Sequence, residues 1–408
     1  MRILHTADWH LGKKLETFSR IQEQRTVLEE ICRIAEEREV DVVLIAGDLY
    51  DTFNPSTEAE ELFYKTLRRL SNQGRRPVVA IAGNHDSPDR IEAPDPLARE
   101  CGIFFSGFPD SQIKDSVLES GVKVESQAPG FVEIQLPSCP YPLRLLLTPY
   151  ASEQRLRMCF ESDDKEQEMR DLLKKHWQSL ADCYCDERGV NILLAHLFFA
   201  DEGKVIEDEP EDERPIVHVG GAQVVFTGSI PAQIQYTALG HLHRCIRMGT
   251  VSRPVVYSSS PLAYSFSEAG QDKYVMLIEA EPGKEVKLEK IRLTSGRKLL
   301  RKRFDDIDEC VAWLGQNQDT LLELTIVTDE FLTGSERKRL YAAHDGIVAV
   351  IPELRSMNDI SGENNKVIDQ GRDIRELFKE YFISRNGQMP NQEIIDLFNE
   401  VLAENPNT

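Results

Sequence analysis

The amino-acid sequence predicts a layered α/β fold, on two observations. Short runs rich in Val, Ile and Leu alternate with segments whose apolar residues recur at helical spacing, over roughly the first 280 residues. Several of these apolar runs also end directly in a polar residue, which is typical of strands whose carboxyl ends line the functional edge of an open sheet. The pattern therefore indicates a sheet-based domain with its functional residues at the strand ends.

The elements of this alternation can be assigned in chain order. A short strand at residues 3–4 leads to an amphipathic helix at residues 20–37. A buried strand at 42–46, a helix at 57–70 and a strand at 78–82 follow. Further strands are predicted at 143–147, 192–195, 236–239, 255–257 and 274–278. Residues 1–290 are thus predicted to form one α/β domain.

Beyond residue 290 the sequence changes to smaller units. Residues 291–352 are predicted to form a small α+β capping domain. Its predicted elements are strands at 299–304, 321–327 and 347–351 and helices at 307–314 and 335–343. Residues 353–371 are polar and contain Asn, Ser and Gly, which is typical of a linker.

Residues 372–408 are predicted to hold two short amphipathic helices, each with a stripe of large apolar side chains. The stripes consist of Ile374, Leu377, Phe378, Tyr381 and Phe382 in the first helix and of Ile394, Leu397, Phe398, Val401 and Leu402 in the second. Helices this short are marginal alone, so each stripe must be buried. We expect them to dock a partner protein; packing against the core domain or against each other is the alternative.

Composition limits the class of protein. The chain has 408 residues and a mass of 46.4 kDa, which predicts two or three domains. No run approaches the ~20 apolar residues that span a bilayer, and the first residues lead directly into a strand, which leaves no room for a signal peptide. We therefore expect a cytoplasmic protein whose eight scattered cysteines are reduced structural thiols.

The formal net charge of −21 argues against a chain that binds nucleic acid unaided. Part of the acidity is local, because residues 201–213 form an acidic run that is predicted to be a solvated surface loop. Bound metal ions could supply positive charge at one phosphate group, and a partner could supply the rest of a binding groove. The charge alone therefore does not exclude an enzyme that cleaves nucleic acid.

Five apolar runs end directly in a residue that can bind a metal ion. These residues are Asp8, Asp48, Asn84, His196 and His241. They lie in the motifs DWH (8–10), GDLYD (47–51), GNHD (83–86), AH (195–196) and GHLH (240–243). Each motif alone has a plain structural explanation, such as a turn, a helix cap or a buried histidine. All five together indicate that the strand ends converge on a dinuclear metal site.

The donor atoms of this set are carboxylate and amide oxygens and imidazole nitrogens. That mixture suits Mn²⁺, Fe or Zn²⁺ better than Ca²⁺, which prefers oxygen ligands. Two such ions ~3.5–4 Å apart can polarise a phosphate diester and stabilise the charge of an in-line displacement. Asp48 is the expected bridge because it stands alone at its strand end, whereas Asp8 and His10 can share one ion. The glycines expected to let the backbone turn and approach the metals are Gly47, Gly83 and Gly240.

The motifs DxH, GDxxD, GNHD, a lone His and GHxH, in this order, resemble those of the calcineurin-like metallophosphoesterases, and their surroundings are similar to the recombination nucleases of that family. The resemblance implies a layered β-sandwich core flanked by helices. It also implies that one metal is held by Asp8, His10 and His243, that the other is held by Asn84, His196 and His241, and that Asp48 bridges them. By the same resemblance, His85 would be a catalytic histidine that binds neither metal, and Asp51 and Asp86 would orient imidazole rings by hydrogen bonding.

The resemblance further implies a DNA phosphodiesterase that uses two Mn²⁺ ions, with Mg²⁺, Fe or Zn²⁺ as alternatives. The implied activities are double-strand exonuclease and single-strand or hairpin endonuclease in DNA repair, recombination and replication. The implied partners are DNA, an ATPase subunit docked on residues 372–408, and a second copy of the chain within a heterotetramer. No Walker-type glycine loop occurs in the sequence, so ATP binding is expected of the partner.

Two segments depart from the family pattern. Residues 257–261 are YSSSP where many relatives have a glycine, as in YSGSP, which leaves the local backbone conformation open. The acidic segment at 202–218 also differs from the expected loop. Two other functions stay open at this stage: a phosphatase or cyclic-nucleotide phosphodiesterase on the same scaffold, and a non-enzymatic bridging subunit with an intact metal site.

Overall fold

The computed structural model describes residues 1–158, 164–203, 224–329 and 332–354, together with residues 378, 379, 382, 389, 390, 395 and 398. The helices are α1 (Ile21–Glu37), α2 (Thr57–Leu70), α3 (Pro88–Glu92), α4 (Asp95–Glu100), α5 (Glu153–Leu156), α6 (Lys165–Tyr184), α7 (Ile307–Gln316) and α8 (Gly334–Ala343). The strands are β1 (Arg2–Thr6), β2 (Lys14–Leu15), β3 (Phe18–Ser19), β4 (Val42–Ala46), β5 (Val78–Ile81), β6 (Ile103–Ser106), β7 (Ser116–Val117), β8 (Lys123–Ala128), β9 (Phe131–Gln135), β10 (Leu143–Thr148), β11 (Val190–His196), β12 (Phe198–Ala200), β13 (Val224–Phe226), β14 (Tyr236–Gly240), β15 (Ile246–Gly249), β16 (Pro254–Tyr257), β17 (Tyr274–Glu279), β18 (Lys287–Arg292), β19 (Lys298–Phe304), β20 (Thr320–Thr328) and β21 (Ile347–Leu354).

Two large sheets form the centre of the first compact unit, which comprises Met1–Val327 and Leu332–Pro352. One sheet has the strand order β18-β17-β1-β4-β5-β6, and the other has the order β15-β16-β14-β11-β10-β9-β8-β7. Strands β1, β4, β5 and β6 are parallel in the first sheet, as are β10, β11, β14 and β16 in the second. The sheets pack face to face through one apolar cluster that includes Ile3, Val42 and Ile192. The predicted sandwich is therefore present.

Helices cover the outer faces of both sheets. α1 and α2 bury Leu28 and Leu67 against the first sheet, and α6 buries Trp177 against the second. Apolar layers therefore flank β4 and β5 on both sides, which explains why these strands are continuous apolar runs without alternation. The predicted layered α/β fold is confirmed. The sequence did not predict α6, because its apolar stripe is narrow and lies among many charged residues.

A third sheet consists of β19, β20 and β21. Together with α7 and α8 it supplies the five elements predicted for residues 291–352. An apolar cluster separate from the three larger ones holds this part of the chain together and includes the fully buried Leu314, Leu324 and Leu340. These elements nevertheless belong to the first compact unit. A separate capping domain thus stays a prediction.

The second compact unit comprises Thr328–Phe331 and Glu353–Thr408. Most of it lies outside the described residues, including positions 355–371 of the predicted linker, whereas positions 353 and 354 are the end of β21. The described positions include one aromatic residue from each predicted stripe, and the rings of Phe378 and Phe398 stack with their centroids 3.8 Å apart. The two stripes therefore contact each other at this point, as one of the alternatives required.

Three expectations from composition can be compared with the described residues. The seven cysteines in these residues are free thiols. Among the described helices, none has both the length and the apolar character needed to cross a membrane. The acidic run at 201–213 lies outside the described residues from position 204 onward. Its assignment as a solvated loop is therefore untested.

Candidate metal centre

The two sheets bring the carboxyl ends of their parallel strands together. β1, β4 and β5 are followed within two or three residues by Asp8, Asp48 and Asn84, respectively. In the second sheet, β11 ends at His196, and β14 ends one residue before His241. All five side chains are buried. The strand ends of both sheets therefore converge, as the sequence predicted.

Asn84, His196 and His241 form one contact group. The Oδ1 atom of Asn84 lies 2.8 Å from Nε2 of His196 and 3.1 Å from Nδ1 of His241. The other ring nitrogen of His196, Nδ1, is 2.8 Å from the carbonyl oxygen of Ala46 and donates to it. The Nε2 atom of His196 is therefore the ring nitrogen that faces the centre of the group.

His10 and His243 form a second contact group with Asp8. Their Nε2 atoms lie 2.9 Å apart, a distance at which two imidazole lone pairs repel each other unless a proton or a metal cation lies between them. The Oδ1 atom of Asp8 accepts the backbone N–H of His241 at 2.9 Å. The Oδ2 atom of Asp8 is buried and has no hydrogen-bond partner among the described residues. This group is thus rich in buried acceptors.

Asp48 lies between the two groups. Its Oδ2 atom is 3.5 Å from Nε2 of His10 and 3.4 Å from Nε2 of His196. Its Oδ1 atom accepts the backbone N–H of His85 at 2.9 Å. One carboxylate oxygen is therefore almost equidistant from a histidine of each group, as expected of a ligand shared by two metal ions.

Four residues of the centre have a strained backbone. The φ angles are 54° at Asp8, 44° at His10, 47° at Asp48 and 117° at His241. Non-glycine residues rarely adopt positive φ, and each such residue costs roughly 1–3 kcal/mol. A concentration of this strain in buried polar residues that follow strands indicates a functional requirement, because it contributes nothing to packing.

Two of the predicted glycines serve the contact between the sheets. Gly47 has a φ of 87°, and a Cβ atom there would overlap the ring of His196. Gly240 has no positive φ, but a Cβ atom there would overlap the carbonyl group of Ala46 on the facing sheet. The sequence suggested that these glycines let the backbone approach the metals. In the structure they let the strand ends of the two sheets approach each other, and their approach to the metals stays a prediction.

The two carboxyl groups of the centre have different proton affinities. Burial raises the pKa of Asp8 to about 7, against the opposing charges of His196 and His243. Burial would also raise the pKa of Asp48, but the charges of His196, His85 and His10 outweigh it and hold the pKa well below the usual range. Asp48 is therefore the more firmly ionised carboxylate, which suits a position between two cations.

His85 lies beside this centre. Its ring centroid is 4.8 Å from that of His10, and its Nδ1 atom is 2.9 Å from the backbone carbonyl oxygen of Asp51. Nδ1 therefore carries a proton that it donates to this carbonyl. The Nε2 atom is buried and has no hydrogen-bond partner among the described residues. His85 thus presents one uncommitted ring nitrogen to the site.

The carboxylates of Asp51 and Asp86 make different contacts, and their expected roles stay predictions. The carboxylate of Asp86 accepts three backbone N–H groups, so its hydrogen bonds among the described residues fix the backbone and not an imidazole. The three donors, at 2.8, 3.0 and 2.9 Å, are the N–H groups of Gly83, Leu49 and Tyr50. The Oδ1 atom of Asp51 is 3.1 Å from Nζ of Lys13 and 3.7 Å from Nδ1 of His10. The contact that Asp51 makes with His85 comes from its backbone carbonyl.

A buried pair behind His243 was missed by sequence analysis. The Oε1 atom of Glu268 lies 3.3 Å from Nδ1 of His243, and the Oε2 atom accepts a hydrogen bond from Lys273. Burial would raise the pKa of Glu268, but the charges of His243 and Lys273 outweigh it and lower the pKa to about 2. A carboxylate on one ring nitrogen fixes the tautomer, so the other nitrogen is the one that would bind a cation. The available signal was the acidic residue in YSFSE, 25 residues after His243.

The residues present fit a pair of divalent transition-metal ions. Buried carboxylate oxygens, an amide oxygen and imidazole nitrogens point at common positions, and Asp8 Oδ2 has no protein partner among the described residues. This oxygen and nitrogen donor set suits Mn²⁺, Fe or Zn²⁺. All seven predicted ligands lie in the two contact groups or between them.

Comparison with known proteins identifies the family. The model of the calcineurin-like phosphoesterase family matches residues 1–230. The SbcD subunit of the SbcCD nuclease of Bacillus subtilis is 36% identical over 411 residues, which cover 99% of this chain and 98% of that protein. The chain belongs to the calcineurin-like phosphoesterases. The resemblance inferred from the motifs is therefore confirmed.

Two solved structures match this calcineurin-like phosphoesterase more distantly. A protein of Thermus thermophilus has a TM-score of 0.36 and 11% identity, with 71% of this chain and 99% of that chain covered. A dimetal phosphatase of Danio rerio has a TM-score of 0.36 and 13% identity, with 72% and 99% covered.

Proposed function

We propose that this chain is a metal-dependent DNA nuclease that acts with an SbcC-type ATPase in DNA end processing, repair, recombination and replication. The observation that carries the proposal is a buried group of side chains able to bind metal ions, in a chain similar over 99% of its length to a nuclease subunit. We assign it double-strand exonuclease and single-strand or hairpin endonuclease activity, and we place this activity in the cytoplasm.

The two contact groups support the ligand assignment. In our proposal Asp8, His10 and His243 hold one ion, Asn84, His196 and His241 hold the other, and Asp48 bridges them. The 2.9 Å approach of His10 and His243 and the 2.8 Å approach of Asn84 and His196 support the two sets. We propose Mn²⁺ as the physiological ion, because Mn²⁺ accepts mixed oxygen and nitrogen ligands.

Two bound ions would polarise the phosphate diester and lower the pKa of a bound water. His85 would supply the acid, because its Nδ1–H is committed to the carbonyl of Asp51 and its Nε2 is free to carry a second proton. That proton would go to the sugar oxygen as it leaves phosphorus. Asp86 would hold the turn that carries His85 by accepting backbone N–H groups on both sides of the site.

A single assay tests the nuclease function. Purified chain would be incubated with end-labelled hairpin DNA and with nucleotide monophosphates or cyclic nucleotides, in Mn²⁺ and in Mg²⁺, with and without the ATPase subunit. We expect cleavage of DNA to exceed hydrolysis of the small esters. Faster hydrolysis of the small esters would support the phosphatase alternative, and no hydrolysis of either would support a bridging role.

Metal content tests the bridging role of Asp48. We expect Asp48→Ala to lose both ions, because the side chain between the two contact groups is gone. His10→Ala should lose mainly one ion. If Asp48→Ala still bound two ions per chain, the assignment of Asp48 as bridge would be wrong.

We further propose that residues 372–408 dock the ATPase and that the chain forms a homodimer within a heterotetramer. The separate compact unit that includes Glu353–Thr408 supports this, whereas the ring contact between Phe378 and Phe398 supports the alternative that the two stripes bury each other. Deletion of 372–408 should leave Mn²⁺-dependent cleavage of single-stranded DNA and abolish co-purification with the ATPase. Retained co-purification would place the docking surface elsewhere.

A further inference from the structure

Arg155 is a buried cation next to the candidate metal centre. It lies in the short helix α5, with 8% of its surface exposed. Its guanidinium group donates to three backbone carbonyl oxygens, those of Gly83 at 2.8 Å, Asn84 at 3.3 Å and Asp86 at 2.8 Å. Among the described residues it forms no ion pair. A buried charge is costly, so this use of a guanidinium requires an explanation.

All three acceptors belong to the turn that carries Asn84 and His85. The N–H groups of the same turn bind carboxylates: Gly83 donates to Asp86 at 2.8 Å, and His85 donates to Asp48 at 2.9 Å. Carboxylates therefore fix the donor side of the turn, and Arg155 fixes its acceptor side. Removal of the guanidinium would leave three buried carbonyl groups without this partner.

We propose that Arg155 is a positioning residue that sets the orientation of Asn84 and His85 at the metal centre. The inference rests on the proposed nuclease function for its activity measurement, but its metal-binding measurement is independent of the substrate. The planar guanidinium is needed, because two of its nitrogens reach three carbonyls at once. A lysine ammonium in its place is a point charge at the end of a flexible stem and cannot span the turn.

The position of the helix supports this role. The N–H of Arg155 donates to Oγ of Ser152, the residue that caps the N-terminus of α5, and the guanidinium carbon lies 5.1 Å from the ring centroid of Tyr150. The N–H of Tyr150 donates to the carbonyl of Ala82 at 2.9 Å, one residue before Gly83. The segment that carries Arg155 is therefore attached to the chain that leads into the turn.

The experiment compares Arg155→Lys and Arg155→Ala with Arg157→Lys as the control. Arg157 is exposed, and its guanidinium carbon lies 5.0 Å from the ring centroid of Phe108, away from the turn. Mn²⁺ affinity would be measured by titration, and kcat and KM on a single-stranded oligonucleotide. We expect both Arg155 variants to bind Mn²⁺ ~10–100-fold more weakly, as outer partners of metal ligands commonly do, and to lose kcat with little change in KM. Arg157→Lys should match the wild type.

Two further measurements separate positioning from general loss of structure. Added guanidinium at millimolar concentration, well below denaturing levels, should restore part of the activity of Arg155→Ala. Arg155→Lys combined with His85→Gln should cost less than the sum of the single changes, because both act on the same proton transfer. Wild-type Mn²⁺ affinity and kcat in Arg155→Lys, or additive costs in the double variant, would overturn the inference.

The two proposals fail separately. If the wild-type chain binds Mn²⁺ but cleaves no DNA, the proposed function fails, and the Mn²⁺ affinity of Arg155→Lys still tests the positioning role. If Arg155→Ala does not fold, the Lys variant decides, since it preserves the charge and removes only the planar fork.

Discussion

Replacement of Ser259 by glycine should cost less stability than replacement by alanine, although the Ser259 hydroxyl is hydrogen-bonded. It follows β16 in the YSSSP segment and has a φ of 87°, in the region that favours glycine. Its Oγ atom accepts the backbone N–H of Tyr274 at 3.0 Å and lies 3.1 Å from the carbonyl oxygen of Ser260, to which it donates. The hydroxyl therefore offsets part of the strain by bonding to the start of β17.

Both substitutions remove the hydroxyl hydrogen bonds, but they differ in their effect on the backbone strain. Ser259→Ala and Ser259→Gly both remove the hydroxyl bonds, which contribute about 0.5–1.5 kcal/mol each. Only the glycine variant relieves the left-handed strain of ~1–2 kcal/mol. Glycine also increases the conformational entropy of the unfolded chain, which lowers the free energy of unfolding by ~0.4–1 kcal/mol. The glycine variant should thus be about 1 kcal/mol more stable than the alanine variant.

The assay is equilibrium unfolding in urea. The free energy of unfolding is compared between the alanine and glycine variants, at Ser259 and at a control position. Ser258 is the matched control, because it is also buried and has no positive φ. At Ser258 the order should reverse, with alanine more stable than glycine by roughly 0.5–1 kcal/mol. Equal or greater stability of Ser259→Ala relative to Ser259→Gly would refute the assignment of strain at this residue.

Three other predictions concern the contacts of Glu268, His85 and Glu30. Glu268→Gln should weaken Mn²⁺ binding ~10-fold or more, because His243 loses the carboxylate on Nδ1; an unchanged Mn²⁺ titration would contradict this. His85→Gln should keep both ions and lose ~10²–10⁴ in cleavage rate, and loss of metal would show that His85 is a ligand. Burial would raise the pKa of Glu30, but hydrogen bonds from Ser295 and Thr294 lower it below its ordinary 4.5. Since the folded-state pKa is depressed, this stabilisation is present above about pH 4.5 and lost as pH falls, so the free-energy difference between wild type and Glu30→Gln should shrink below that pH; a constant difference would refute it.

The sequence alone selected the candidate metal-binding side chains, because their chemistry is local. Apolar runs that end in Asp8, Asp48 and Asn84 can be recognised one at a time, since a strand buried on both faces needs a continuous apolar stretch. The motif order then predicted the family, and the alternation of apolar runs with helical segments predicted the layered fold. The helix bounds Thr57–Leu70 also followed from the sequence, because apolar residues recur there at helical spacing.

The supporting contacts came from tertiary structure alone, because they join residues far apart in the chain. Glu268 reaches His243, and Arg155 reaches the turn at Gly83, 72 residues away; neither contact is indicated by the spacing of the two residues in the sequence. Asp86 lies in a motif, yet its partners are backbone N–H groups on two different loops, which no spacing rule encodes. Ligand types can be predicted from residue identity and strand position, whereas the groups that orient them depend on how two sheets pack and which side chains then meet.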